Sequence, residues 1–186
     1  MTLRYVVHRR AALALVVLVL AACTRKNETP TTNLNAANKV SMRTVRLYYE
    51  SPNMLLGAEP RNLPLPESPS GAIPMVVREL MKGPAQPALN RLFPQDTVVR
   101  SAFLLPGGTV IVDLGGSTLT QGWGTGSHEE LMALYSLAQT LRANFAEAQR
   151  VRVLVNGTPS ETLAGHISLQ KSLGAPPNEL IEASAR

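Results

Sequence analysis

The sequence predicts an α+β fold in a single small domain, its elements running β, loop, α, β, β, α, β. Three observations carry that expectation. Several runs alternate apolar and polar residues every second position, two longer stretches place apolar residues at helical spacing, and residues 43–173 together have the size of one ordinary domain. No internal repeat is visible.

The elements follow in order. "RTVRLYYE" sets Val45, Leu47 and Tyr49 on one face and Arg46 and Tyr48 on the other, which predicts a half-buried strand. "SPNMLLGAEPRNLPLPESPSG" is dense in Pro and Gly and reads as a long connection with a short irregular hairpin at "MLL" and "RNLPL". In "AIPMVVRELMKGP", Ile73, Val76, Val77, Leu80 and Met81 recur at helical spacing; Pro74 suits a first turn, and Gly83–Pro84 stops the helix. "TVVRSAFLLPGGTVIVDL" is two apolar runs split by Pro106–Gly107–Gly108, hence a β-hairpin. Ser127 and Glu130 have the spacing of a capping box. Behind them Leu131, Leu134, Tyr135, Ala138, Leu141 and Phe145 line one stripe of a helix with acids first and Arg142 last, as its dipole favours. "RVRVLVNG" predicts a strand turning at Asn156–Gly157, "ETLAGHISL" a closing extended segment, and residues 174–186 a loose tail.

Ahead of the domain lies a targeting segment. Arg4, Arg9 and Arg10 precede an unbroken apolar run from Ala11 to Ala22, too short to span a bilayer but right for a signal-peptide core. The run ends at Cys23, the single cysteine of the chain. A lone thiol closes no intramolecular disulfide and seldom makes a metal site. Leu20–Ala21–Ala22–Cys23 resembles the lipobox of bacterial lipoproteins, which implies cleavage after residue 22 and a diacylglyceryl, further acylated (palmitate-type) anchor on Cys23. Each buried methylene contributes about 0.8 kcal/mol, so several chains hold where one binds only marginally. Residues 23–42, polar and rich in Asn and Thr, read as a flexible tether.

That reading changes the charge argument. The chain carries 18 Lys+Arg against 13 Asp+Glu; removing the three arginines before the apolar run leaves 15 against 13, or +2. No concentrated basic patch remains in the sequence, which argues against nucleic acid as a partner.

Five stretches resemble the GerMN domain of sporulation and germination proteins and of bacterial envelope lipoproteins: "VRLYYE", "ELMKGP", "VIVDLGG", "GSHEELMALYSLAQTL" and "VRVLVNGTPSETLAGHISL". Met81 stands for the second leucine of Leu-Leu-x-Gly-Pro, Asn156 for the aspartate of Asp-Gly, and Gly115–Gly116 follow Val-Asp-Leu where a serine is common. The resemblance spans about Thr44 to Leu173. It implies a βαββαβ module akin to ring-building motifs, with a mixed or antiparallel sheet and two helices on one face, and it transfers no catalytic residues.

The residues themselves offer little chemistry. Gly122, Gly124 and Gly126 lack phosphate-loop spacing, and no Lys–Ser/Thr pair follows. Ser127, His128 and Glu129 are adjacent and cannot converge as a triad. His128, His166 and Asp113 lack metal-ligand spacing, so no metal or cofactor is expected; Asp113 is read as a turn-former or a backbone-amide partner. Trp123, the single tryptophan, is read as tucked onto the core. The expectation is a non-enzymatic, lipid-anchored envelope protein with the membrane and an envelope protein as partners, docking through an edge strand or helix face and possessing one chemical site, Cys23. Thr24, not aspartate, after the cysteine inclines it to an outer membrane where two are present. The alternative is a ligand-binding module contacting peptidoglycan or a small molecule through the Gly115–Ser127 loop.

Overall fold

A computed structural model describes residues 39–185; the expected signal segment 1–22, Cys23 and the tether to residue 38 lie outside the described residues. Two sheets and two long helices make up the fold. Strands β1 (Val40–Glu50) and β2 (Leu56–Pro66) form an antiparallel pair, followed by helix α1 (Pro69–Met81). Strands β3 (Val98–Leu105) and β4 (Thr109–Gly115) make the expected hairpin. Helices α2 (Ser117–Gln121) and α3 (Ser127–Asn144) then lead to β5 (Arg150–Val155) and the two-residue β6 (Thr158–Pro159). The second sheet has the order β3-β4-β5-β6 and is mixed, because β4 and β5 run parallel while the other pairs are antiparallel. Among the described residues no helix is long and apolar enough to cross a membrane.

The α+β class is thus the observed one, with its strands divided between two sheets. The division has a local cause. The edge of β1 that faces away from β2 is occupied by side chains of α3. Asn144 accepts the Arg46 N–H at 2.9 Å and donates to the Arg46 carbonyl at 2.7 Å. Thr140 Oγ1 accepts the Tyr48 N–H at 3.0 Å, and the Ser136 hydroxyl donates to the Tyr48 carbonyl at 2.5 Å. Ser136, Thr140 and Asn144 recur every four residues and so stand in one row on the helix. That row satisfies the backbone groups of Arg46 and Tyr48, which a further strand would otherwise bond.

Packing explains why α3 is buried on more than one side. It lies against β1 and β5 as well as α1, while α1 lies against β2 and β3, so the helices join the two sheets. Met132, Leu134, Leu137 and Leu141 are fully buried on α3, as are Ile73, Val76 and Val77 on α1. Burying each such side chain contributes about 1.5–3 kcal/mol. From below, Val45, Leu47 and Tyr49 of β1 and Val110, Val112, Leu114, Val151 and Val153 of the larger sheet complete the core. Pro74 falls in the second turn of α1, not the first, and the turn tolerates the lost N–H bond.

Four expectations need correction. First, β1 begins at Val40, so residues 40–42 belong to the strand and not to the tether. Second, the proline-rich connection contains a full strand. The register pairs Arg46 with Pro60, Met42 with Pro64 and Val40 with Pro66. Since the Arg46 backbone faces away from β2, its non-bonded partner Pro60 faces away from β1, and by alternation so do Pro64 and Pro66. Prolines therefore sit where no ladder donor is needed and leave the outer edge of β2 short of N–H groups.

Third, the C-terminal segment is docked, not loose. Glu182 N–H donates to the Leu56 carbonyl at 3.0 Å, Leu173 and Val151 exchange backbone bonds at 2.7 and 2.8 Å, and Ile181 and Ala185 are buried. Fourth, Tyr48 is not on a polar outward face: it is 1% exposed, and its hydroxyl donates to the Ala185 carbonyl at 2.8 Å. The docked tail supplies the cover that alternation along β1 cannot foresee.

Candidate functional site

The residues singled out by the sequence turn out to hold turns. Glu130 is the clearest case. Helix α3 takes Gly126 as its N-cap residue, Ser127 occupies the first helical position, and no side-chain capping bond forms. Glu130 is fully buried instead, and it faces the segment from Leu163 to Ile167. Its Oε1 accepts the N–H groups of Leu163 and Ala164, both at 2.8 Å. Its Oε2 accepts those of His166 at 2.8 Å and Ile167 at 3.1 Å, with His166 Nδ1 3.3 Å away. Burial alone would raise its pKa, but four backbone donors outweigh burial and hold the carboxyl below its ordinary value. The segment expected to close the sheet is accordingly an irregular loop wrapped on a carboxylate, in which Gly165 adopts φ +101°. Ser127→Ala is then expected to shift stability by no more than about 0.5 kcal/mol, against the ~1 kcal/mol of a lost cap, as read from the urea midpoint.

Asp113 behaves as the sequence reading has it. Its Oδ1 accepts the Gly157 N–H at 2.8 Å, and its Oδ2 accepts Arg100 Nε at 3.1 Å. Asn156 and Gly157, with φ 50° and 79°, form the two-residue β5–β6 turn, and two positive φ values mark it as type I′. A third knot stops α1. Glu59, 2% exposed, accepts the N–H groups of Ala85 and Gln86 at 2.9 Å, while Arg61 bonds Glu59, Glu79 and the Gly83 carbonyl. Asp96 receives the Thr118 N–H and the Ser117 hydroxyl, which hold its carboxyl down at about 2.

The histidines are separated by their partners: His128 Nε2 meets Glu50 at 2.6 Å, whereas His166 belongs to Glu130. Among the described residues no three His, Cys, Asp or Glu side chains gather where they could hold a metal ion. Cys23 lies outside the described residues.

Two surface features remain. One is the outer face of the four-stranded sheet. The registers place Val98, Phe103 and Leu105 of β3 beside Ile111 of β4 and Arg150 and Arg152 of β5, all on the side opposite the core residues. Val98, Phe103 and Leu105 are 55%, 43% and 39% exposed. Arg100, at the bulge in β3, bends over Gly115 to Asp113, the one acid on this face. Sequence inspection missed this face because an apolar strand residue looks the same whether it faces core or solvent.

The other is a cleft of about 240 Å³ at the Gly-rich loop. Trp123 is half-buried there and stacks on Phe93, with ring centroids 6.3 Å apart and an interplanar angle of 21°. Trp123 is thus packed against the core, as expected, while still forming one wall of the cleft.

Comparison with known proteins bears on the fold. Residues 46–161 match a family described as Germane, sporulation and spore germination. The chain is similar to a candidate lipoprotein from Clostridium perfringens, with 15% identity and a TM-score of 0.50 over 73% of this chain and 87% of that one. It is also similar to the tandem GerMN domains of the sporulation protein GerM from Bacillus subtilis, at 23% identity and a TM-score of 0.51 over 71% of this chain. There the match spans 46% of the tandem, about half its length. No curated protein matches the chain in sequence.

Proposed function

The chain belongs to the Germane family of sporulation and spore germination, and from that premise we propose that it is a non-catalytic envelope protein, lipid-anchored at Cys23, whose domain docks a protein partner on the outer face of its four-stranded sheet. The observation that carries this reading is the exposure of Val98, Phe103 and Leu105 on a face flanked by Arg100, Arg150 and Arg152. Exposed apolar side chains rimmed by charge are characteristic of interaction surfaces. Edge pairing on the two-stranded sheet, by contrast, finds little purchase. The outer edge of β1 is met by α3, and that of β2 carries three prolines. The anchor would hold the domain beside the membrane, and the similarity to a candidate lipoprotein supports it. The buried carboxylates Glu59, Asp113 and Glu130 each accept backbone N–H groups, and the first two also meet an arginine, which supports a structural and not a catalytic reading of them.

Two measurements test this. Mass spectrometry of the mature N-terminus is expected to find an acylated Cys23, and an unmodified thiol there removes the anchor from the reading. For the docking face, Phe103→Ser and Arg152→Glu are each expected to cut recovery of crosslinked envelope neighbours by at least about tenfold, as befits a central contact. Their melting curves should stay near the parent's, since both side chains reach solvent. Undiminished recovery in both variants would place the docking surface elsewhere.

A further inference from the structure

We propose that the cleft beside Trp123 binds a neutral pyranose sugar. Its size comes first. At about 240 Å³ it falls below the roughly 300–1,000 Å³ of pockets for drug-sized ligands, so it fits one ring and not an extended molecule. Its lining includes the buried apolar Leu92 and Phe93, with the Trp123 ring stacked on that of Phe93. Around the rim are polar groups of both kinds: Glu50 and Glu129 accept, Arg91 donates, and Gln95 does either.

The charge balance selects among ligands. Arg91 lines the cleft together with the two carboxylates, and Glu50 is further engaged by His128 Nε2 at 2.6 Å. A cationic ligand would meet the guanidinium, and an anion would meet both carboxylates. A neutral ring bearing several hydroxyls uses donors and acceptors together, while its C–H face lies on the indole. The rim is also held in place before any ligand arrives. Arg91 is pinned by the Met81 carbonyl at 2.8 Å and by that of Lys82. The Glu50 carbonyl accepts Asn90 N–H at 2.8 Å, and its carboxylate meets His128. Groups already ordered cost less entropy on binding.

Because Trp123 is the single tryptophan of the chain, its emission reports on this cleft alone. The full mature chain, kept in a polyoxyethylene detergent free of sugar headgroups, is titrated with methyl β-glucoside and with N-acetylglucosamine. Tetramethylammonium and inorganic phosphate serve as cationic and anionic comparators. The expected result is a saturable change in Trp123 emission with at least one sugar at millimolar concentration and none with either ion. Glu129→Ala, at an exposed position, is expected to raise the midpoint by about tenfold, the ratio one charge-assisted hydrogen bond commands, with no change in melting. Arg152→Glu on the sheet face is expected to leave it unchanged, which keeps this test apart from that of the docking face. A tighter response to either ion, no saturable response to either sugar, or an unaltered midpoint in Glu129→Ala overturns the proposal.

Discussion

Replacing Glu130 by alanine is expected to cost about 3–5 kcal/mol, a large share of the ~5–15 kcal/mol that holds a domain of this size. The side chain is fully buried and accepts four backbone N–H groups between Leu163 and Ile167. Truncation removes all four acceptors at once and leaves a cavity into which the loop cannot collapse without losing its turn at Gly165. Glu130→Gln retains one oxygen and should fall between the parent and alanine. The pH dependence follows from the lowered carboxyl pKa. A group whose folded pKa lies below its unfolded value of about 4.5 contributes fully above that value, and the contribution is lost as pH falls through the folded pKa. The parent should therefore lose stability steeply in acid, and the Gln variant less so. Urea midpoints measured from pH 7 down to pH 3 decide it; parallel curves for parent and Gln variant would mean that the carboxylate is not what the loop is built on.

Tyr48→Arg is expected to be at least as damaging, at more than about 4 kcal/mol, because it places a charge with no counter-ion in a site 1% exposed. The change would be a gentle surface substitution if the outward face of β1 met solvent. Instead Tyr48 is enclosed by α3 and by the docked C-terminal segment, where its hydroxyl bonds the Ala185 carbonyl. Tyr48→Phe keeps the packing and should cost only about 1 kcal/mol, the usual net worth of one hydrogen bond. A folded Tyr48→Arg with a midpoint near that of the parent would show that the tail does not cover this residue.

These two residues also mark where sequence reading ran out. Elements whose signal is local were legible: β1, α1, the β3–β4 hairpin, α3 and β5 all follow from spacing within a dozen residues. Glu130 was misread because Ser and Glu three residues apart satisfy a capping box in sequence, whereas the true partners lie 33 to 37 residues onward. The tail was misread because "GAPPNELIEASAR" has few apolar residues, and part of what docks it is backbone hydrogen bonding to Leu56, which leaves no mark on composition. Strand β2 was obscured by its prolines, which are forbidden in a central strand but compatible with one edge of an outer strand. Asp113 was legible because an acid at the end of an apolar strand has few uses other than gripping a nearby turn. The two surface features were not equally readable. Trp123 stood out by being unique, while the exposure of Phe103 depends on which face the whole sheet turns to the core.

The row Ser136–Thr140–Asn144 has a consequence for how the molecule fails. So long as α3 lies along β1, the amides of Arg46 and Tyr48 at the strand's centre are not open to a passing chain. Once α3 comes away, the same strand presents an open ladder with Val45, Leu47 and Tyr49 on its inner side, ready to recruit the equivalent strand of another molecule. If the proposed anchor holds the molecules on one bilayer, they would meet in two dimensions, where encounters are frequent even at low copy number. Variants that loosen α3 should then leave solution as ordered aggregates well before their unfolding is complete, and variants that loosen the sheet face should not.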